Sequence, residues 1–130
     1  GLTLAGVELS STQVVAGEPL LVDLWLSIDQ AIPDDLTLCV HLVPEAGPVL
    51  AARDGAPGYG GAPTSGWIPG DALQERRAVP IPVDAAPGTY TLTAAWLDAE
   101  GRRVPVENGA AEAQAESEAA LAIIEVVAAP

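Results

Sequence analysis

"EPLLVDLWLSI", Glu18 to Ile28, decides how the chain is read. Leu20, Val22, Leu24, Leu26 and Ile28 fall at every second position. Asp23 and Ser27 take alternate positions, with Trp25 between them. Successive side chains of a strand point to opposite faces, so this spacing buries one row and leaves the other at a surface. The stretch reads as a half-buried β-strand.

The same period recurs on both sides of it. In "LTLCVHLVP", Leu36, Leu38, Val40 and Leu42 face inward, and Thr37, Cys39, His41 and Val43 face outward. "TYTLTAAWLD" sets Tyr90, Leu92, Ala94 and Trp96 against Thr89, Thr91, Thr93 and Ala95, a Thr-rich face suited to an exposed strand surface. Further strands are expected at "LTLAGVEL", "GPVLAAR", "QERRAVPIPV", "RRVPV" and "ALAIIEVV". Turns separate them at Pro33-Asp34-Asp35, Glu45-Ala46-Gly47, Ala86-Pro87-Gly88 and Asp98-Ala99-Glu100-Gly101. There Pro presets φ and Gly supplies a positive one. Many short strands with turns at this spacing predict an all-β, immunoglobulin-like antiparallel sandwich of about seven to nine strands. Pro80, Pro82 and Pro105 are expected on edge strands, since proline donates nothing to a central ladder.

The length of 130 residues fits one domain, residues 1–130. Its core must be aliphatic: 15 Leu, 13 Val and 6 Ile stand against no Phe and no Met. Two segments depart from the strand pattern. A Gly/Pro loop runs over 54–70, longer than compact domains usually leave without structure. An acidic, Ala-rich stretch over 107–120 lacks an apolar stripe and reads as a solvated loop, partly helical at most. The chain opens on Gly without Met, as a piece of a larger protein would.

Eighteen acidic residues, five Arg and no Lys give a net charge of −13. That surface opposes binding to nucleic acid and to anionic lipid. No stretch is long and apolar enough for membrane insertion. The lack of Lys removes the Walker A, kinase and Schiff-base chemistries. Gly58 and Gly60 are followed by Pro63 where a dinucleotide loop needs its third glycine. Cys39, the lone cysteine, excludes an internal disulfide and a cysteine-based zinc cluster. Cys39 and His41 share a strand face, but at i and i+2 they stand too far apart for a nucleophile–base dyad. Ser65 has no nucleophile elbow around it. Carboxylates are numerous, yet no spacing selects a glycosidase pair. Asp34, Asp35 and the Asp98–Gly101 turn offer oxygens for calcium without its alternating ligand loop, which favours ordinary turn chemistry. The expectation is no enzyme, no cofactor and no metal.

Ligand contact would then fall to aromatics. Trp67 and Tyr59 lie in the long loop, where they could stack on a sugar while His41 and Asp54 hydrogen-bond its hydroxyls. Against this, Trp67 between Gly66 and Ile68 suits a plug at the sandwich end, because an aliphatic core gains much from one Trp. The loop is expected to follow a fixed path with Trp67 as anchor, and an Asp54–His41 hydrogen bond is expected to tie its start to the sheet.

The runs "VHL" (Val40–Leu42), "RDGAP" (Arg53–Pro57), "GGAPTSGW" (Gly60–Trp67), "APGTYTL" (Ala86–Leu92) and "WLDAEGRRVPV" (Trp96–Val106) resemble a bacterial envelope domain. They are similar to the C-terminal β-sandwich of predicted multi-spanning membrane glycosyltransferases of the mannosyltransferase type, and to related uncharacterised envelope proteins. The likeness extends from about Val15 to Val127. Cys39 departs from it, standing where an aromatic is expected, and so does 107–120, which looks like an insertion. The resemblance implies a non-catalytic, extracytoplasmic accessory module of a membrane-anchored parent. Its contacts would be with a glycan, a neighbouring domain or another envelope protein. The other reading is a purely structural spacer without a ligand; a glycan-active enzyme fragment is a remote third.

Overall fold

The strand from Pro19 to Ile28 forms as its alternation requires: Leu20, Val22 and Leu24 are wholly buried, and Trp25 and Ser27 on the other face are only partly covered. The computed structural model describes residues 2–104, 107–108, 112–115 and 118–130. In chain order the strands are β1 (Leu2–Leu9), β2 (Gln13–Val15), β3 (Pro19–Ile28), β4 (Thr37–Pro44), β5 (Ala51–Gly55) and β6 (Ala72–Pro80). They continue with β7 (Gly88–Leu97), β8 (Arg103–Val104), β9 (Glu107–Asn108), β10 (Glu112–Ala115) and β11 (Glu118–Val127). One sheet runs β6-β3-β1-β9. The other runs β10-β11-β7-β4-β5, with β2 added to β11 and β8 to β7.

The two sheets face each other across the aliphatic rows. Leu38, Val40, Leu42 and Leu92 from one meet Val22, Leu24, Leu26 and Val79 from the other, all essentially without solvent contact. At about 25 cal/mol per Å² of apolar area removed from water, these rows are the main favourable contribution to folding.

The strand count exceeds the expected seven to nine, because β2, β8 and β9 are pieces of two or three residues beside the long ladders. Nor is every pairing antiparallel. The chain leaves the first sheet at Leu9 and joins the second at Gln13 while travelling onward, which lays β2 parallel to β11; β9 lies parallel to β1. The stretch 107–120 is corrected as well. Its described residues 107–108, 112–115 and 118–120 are strand rather than solvated loop, because they find ladder partners in β1, β7 and β11. Strand formation depends on such partners more than on intrinsic preference. The remaining residues of that stretch lie outside the described ones, as does Pro105. Pro80 ends β6, an edge strand, as expected, and Pro82 follows just beyond it.

Tyr90, at the third position of β7, is buried, and its hydroxyl donates to the Ala86 carbonyl at 2.6 Å. This is a tyrosine corner, which fastens the turn entering the strand to the strand itself.

Candidate functional site

The Gly/Pro segment crosses the end of the sandwich near the start of β4. Two 3-10 turns, Pro57–Gly60 and Thr64–Gly66, give it structure. Three fastenings hold it. Thr64 is fully buried; its Oγ1 donates to the Asp34 carbonyl at 2.6 Å and accepts the Leu36 amide at 2.9 Å. Trp67 is 6% exposed, donates Nε1–H to the Ala62 carbonyl at 2.9 Å, and meets Trp96 edge-on with centroids 6.3 Å apart. The Gly58 amide donates to the Glu75 carboxylate at 3.1–3.2 Å.

Glu75 belongs to an ion pair that sequence reasoning missed. Glu75 and Arg77 lie on the inner face of β6, 6% and 3% exposed. Arg77 commits all five N–H donors. Nε and Nη2 donate to Glu75 at 3.1 and 2.9 Å, Nη1 to the carbonyls of Leu38 and Arg53 at 3.2 and 3.0 Å, and Nη2 also to Gly55 at 3.0 Å. One guanidinium thus joins β6 of the first sheet to β4 and β5 of the second. The signal was available: Glu75 and Arg77 are in phase with Val79, whereas Arg76 is in phase with the solvent face and pairs with Asp23 at 2.9 Å. That pairing holds the Asp23 carboxyl below its ordinary value.

The four predicted contact residues separate into distinct roles. Trp67 is withdrawn from the set, because a ring buried against Trp96 has no face to offer a ligand. Tyr59 is 74% exposed, with φ at 55° in the left-handed region. His41 and Asp54 come together: Nε2 lies 2.9 and 3.1 Å from the two carboxylate oxygens. A carboxylate only accepts, so Nε2 carries the proton in this pair. Arg53, Asp54, Gly55, Ala56, Tyr59 and Arg77 line an open cleft of about 420 Å³ along the β5 edge.

Cys39 is buried beside this pair. β4 and β5 place Cys39 opposite Asp54 and His41 opposite Ala52, and the small alanine leaves the imidazole free to lean diagonally to the carboxylate. The thiol, imidazole and carboxylate ligand atoms all lie within 4.8 Å of one another. Burial and the Asp54 charge push the thiol up to about 11. Cys39 is therefore protonated at neutral pH, and the His41 Nε2 faces a carboxylate; neither is arranged for nucleophilic catalysis. The Asp98 turn spends both oxygens on its own chain, accepting the Glu100 and Arg102 amides and Arg102 Nε at 2.9–3.2 Å. Those bonds, the Arg102 amide foremost, hold the Asp98 carboxyl below its ordinary value.

No protein-family model and no curated protein sequence matches the chain. Solved structures do. The chain is similar to the CARDB domain of the PF1109 protein from Pyrococcus furiosus, crystallised in complex with di-metal ions. The TM-score is 0.56 at 14% identity, over 99% of this chain and 94% of that one. The fold is an immunoglobulin-like β-sandwich. A further similarity, TM-score 0.49 at 17% identity, is to the Pseudomonas fluorescens alkylpurine DNA glycosylase AlkC bound to DNA containing an abasic site analogue. It covers 98% of this chain and 30% of that one.

Proposed function

We propose that the chain is a non-catalytic accessory module of a larger bacterial envelope protein, positioned outside the membrane, with its contact surface at the β5 edge. The observation that carries this reading is the setting of Tyr59. An aromatic residue sits largely in solvent on left-handed backbone, while the neighbouring Gly58 amide is bound to the buried Glu75–Arg77 pair. Holding a bulky residue there costs roughly 1–2 kcal/mol and does nothing for the core. The ring stands over a cleft with Arg53 and Asp54, a pairing of apolar face and polar groups suited to a glycan or to a polar protein loop. The thiol's protonation and the fold likeness to a domain whose name carries no catalytic activity both support a binding role. Among the described residues no helix is long and apolar enough to cross a membrane, so attachment would come from the parent chain.

The test is calorimetric titration of soluble cell-wall oligosaccharides into the chain, with Tyr59→Ala alongside. Saturable binding that Tyr59→Ala reduces at least tenfold supports glycan contact. Binding that ignores Tyr59, or no binding across the sugars, removes it.

A specific observation favours the spacer reading: Trp67, the other loop aromatic, serves the core. Trp67→Ala is expected to lower unfolding free energy by about 3–5 kcal/mol, the range for truncating a core aromatic. Chemical denaturation measures it. A loss under 1 kcal/mol would show that the loop is not anchored by this ring.

A further inference from the structure

The geometry points to a three-ligand site for a zinc-class divalent cation, formed by Cys39, His41 and Asp54 on the outer face of the second sheet. The chain has one cysteine and one histidine, and the fold sets both beside one carboxylate, with ligand atoms within 4.8 Å of one another. Two adjacent strands supply them: Cys39 and His41 from one face of β4, Asp54 from the position of β5 opposite Cys39. Because the site rests on ladder register rather than on a loop, its first two ligands cannot drift apart.

The donor set chooses the metal. Thiolate and imidazole favour borderline-soft ions, whereas calcium and magnesium require oxygen ligands throughout. Zinc bonds of about 2.0–2.3 Å in a tetrahedron hold ligand atoms about 3.3–3.7 Å apart. The His41–Asp54 contact, at 2.9 Å, needs to open by a few tenths of an ångström, and the sulfur needs to approach by a side-chain rotation. On binding, the thiol proton leaves to solvent and the imidazole proton moves to Nδ1, freeing Nε2 as the ligand. Three protein ligands leave a fourth position, which faces solvent because the His41 and Asp54 side chains are 28% and 43% exposed. Water fills it, as at other three-ligand zinc sites.

The surroundings pull in both directions. A net charge of −13 raises the local cation concentration, while Arg103 brings positive potential toward the thiol. The Asp54 carboxylate favours the protonated thiol, so a bound cation has to take that proton's place between thiolate and carboxylate. The site does not depend on the glycan reading; the two share His41 and Asp54, and metal binding is read without any sugar.

The test uses the tag-free 130-residue chain, stripped with EDTA and titrated with Co2+ and then Zn2+. Expected are one equivalent of Co2+, a thiolate-to-cobalt charge-transfer band, the strong visible bands of a four-coordinate ion, and loss of both on adding Zn2+. Cys39→Ser should abolish the charge-transfer band, and His41→Gln and Asp54→Asn should each weaken binding at least tenfold. Asp98→Asn, a control in an acidic turn, should not. His41 is partly exposed, so His41→Gln is expected to fold even where Cys39→Ser does not. Absence of the charge-transfer band, its survival in Cys39→Ser, or unaltered affinity in folded His41→Gln would each overturn the site.

Discussion

Tyr59 occupies backbone that L-residues avoid, and its side chain gains nothing from burial. Glycine at this φ escapes the Cβ penalty but loses more entropy on folding, so the two effects partly cancel. The balance favours glycine: Tyr59→Gly is expected to raise unfolding free energy by about 0.5–1 kcal/mol. A fall in urea-denaturation midpoint would mean that the ring packs on the fold. Cys39 yields a second prediction at this scale. Its folded value of about 11 lies above the ordinary 9.0, so folding favours the protonated thiol. The stabilisation is complete below about pH 9 and is lost as pH rises through about 11. In EDTA, the melting temperature should therefore fall more steeply between those pH values in the native chain than in Cys39→Ala. Parallel profiles would contradict it, because every other titration is common to both proteins.

β6 shows what an element contributes beyond its backbone. Consecutive arginines point to opposite faces: Arg76 to Asp23 in solvent, Arg77 into the interior. The exposed pair contributes little, because solvent and salt screen it. The buried one is different, because removing a single partner strands a charge. Arg77→Met is expected to cost about 3–5 kcal/mol, leaving the Glu75 carboxylate and three carbonyls without their donor. The double variant Glu75→Leu, Arg77→Met should cost less than the sum of the single variants, since no lone charge remains. Strict additivity in denaturant unfolding would show that the pair is not coupled. β6 also marks where the sequence was hard to read. Alternation located the long strands, because Leu, Val and Ile at period two have one economical placement. The same alternation puts Glu75 and Arg77 in phase with buried Val79, but a charge at such a position has no expected partner until β4 and β5 offer their carbonyls. The His41–Asp54 bond was legible, since each was placed on an outward or loop-entry position. Adding Cys39 to that pair required the β4–β5 register, which no local pattern contains.

Across the whole molecule, fold and charge oppose each other. The sandwich is held by non-directional apolar burial, and 18 acidic residues against five arginines surround it. That excess destabilises the compact state through self-repulsion. Part of the strand content came from 107–120, where acidic residues enter ladders that composition alone argued against. Salt distinguishes the two electrostatic effects. Screening shortens to a few ångströms as salt approaches 1 M, which suppresses long-range repulsion and also weakens the exposed Asp23–Arg76 and Asp98–Arg102 pairs. Those solvent-screened pairs contribute little, and the buried Glu75–Arg77 pair is largely shielded from salt. Repulsion among many uncompensated carboxylates is the larger quantity. The melting temperature is therefore expected to rise when NaCl increases from about 10 mM to about 500 mM, by about 3–5 °C for each kcal/mol recovered in a domain of this size. A fall over that range would mean that the exposed ion pairs outweigh the net charge, and that the acidic surface is locally compensated where the strands bring it together.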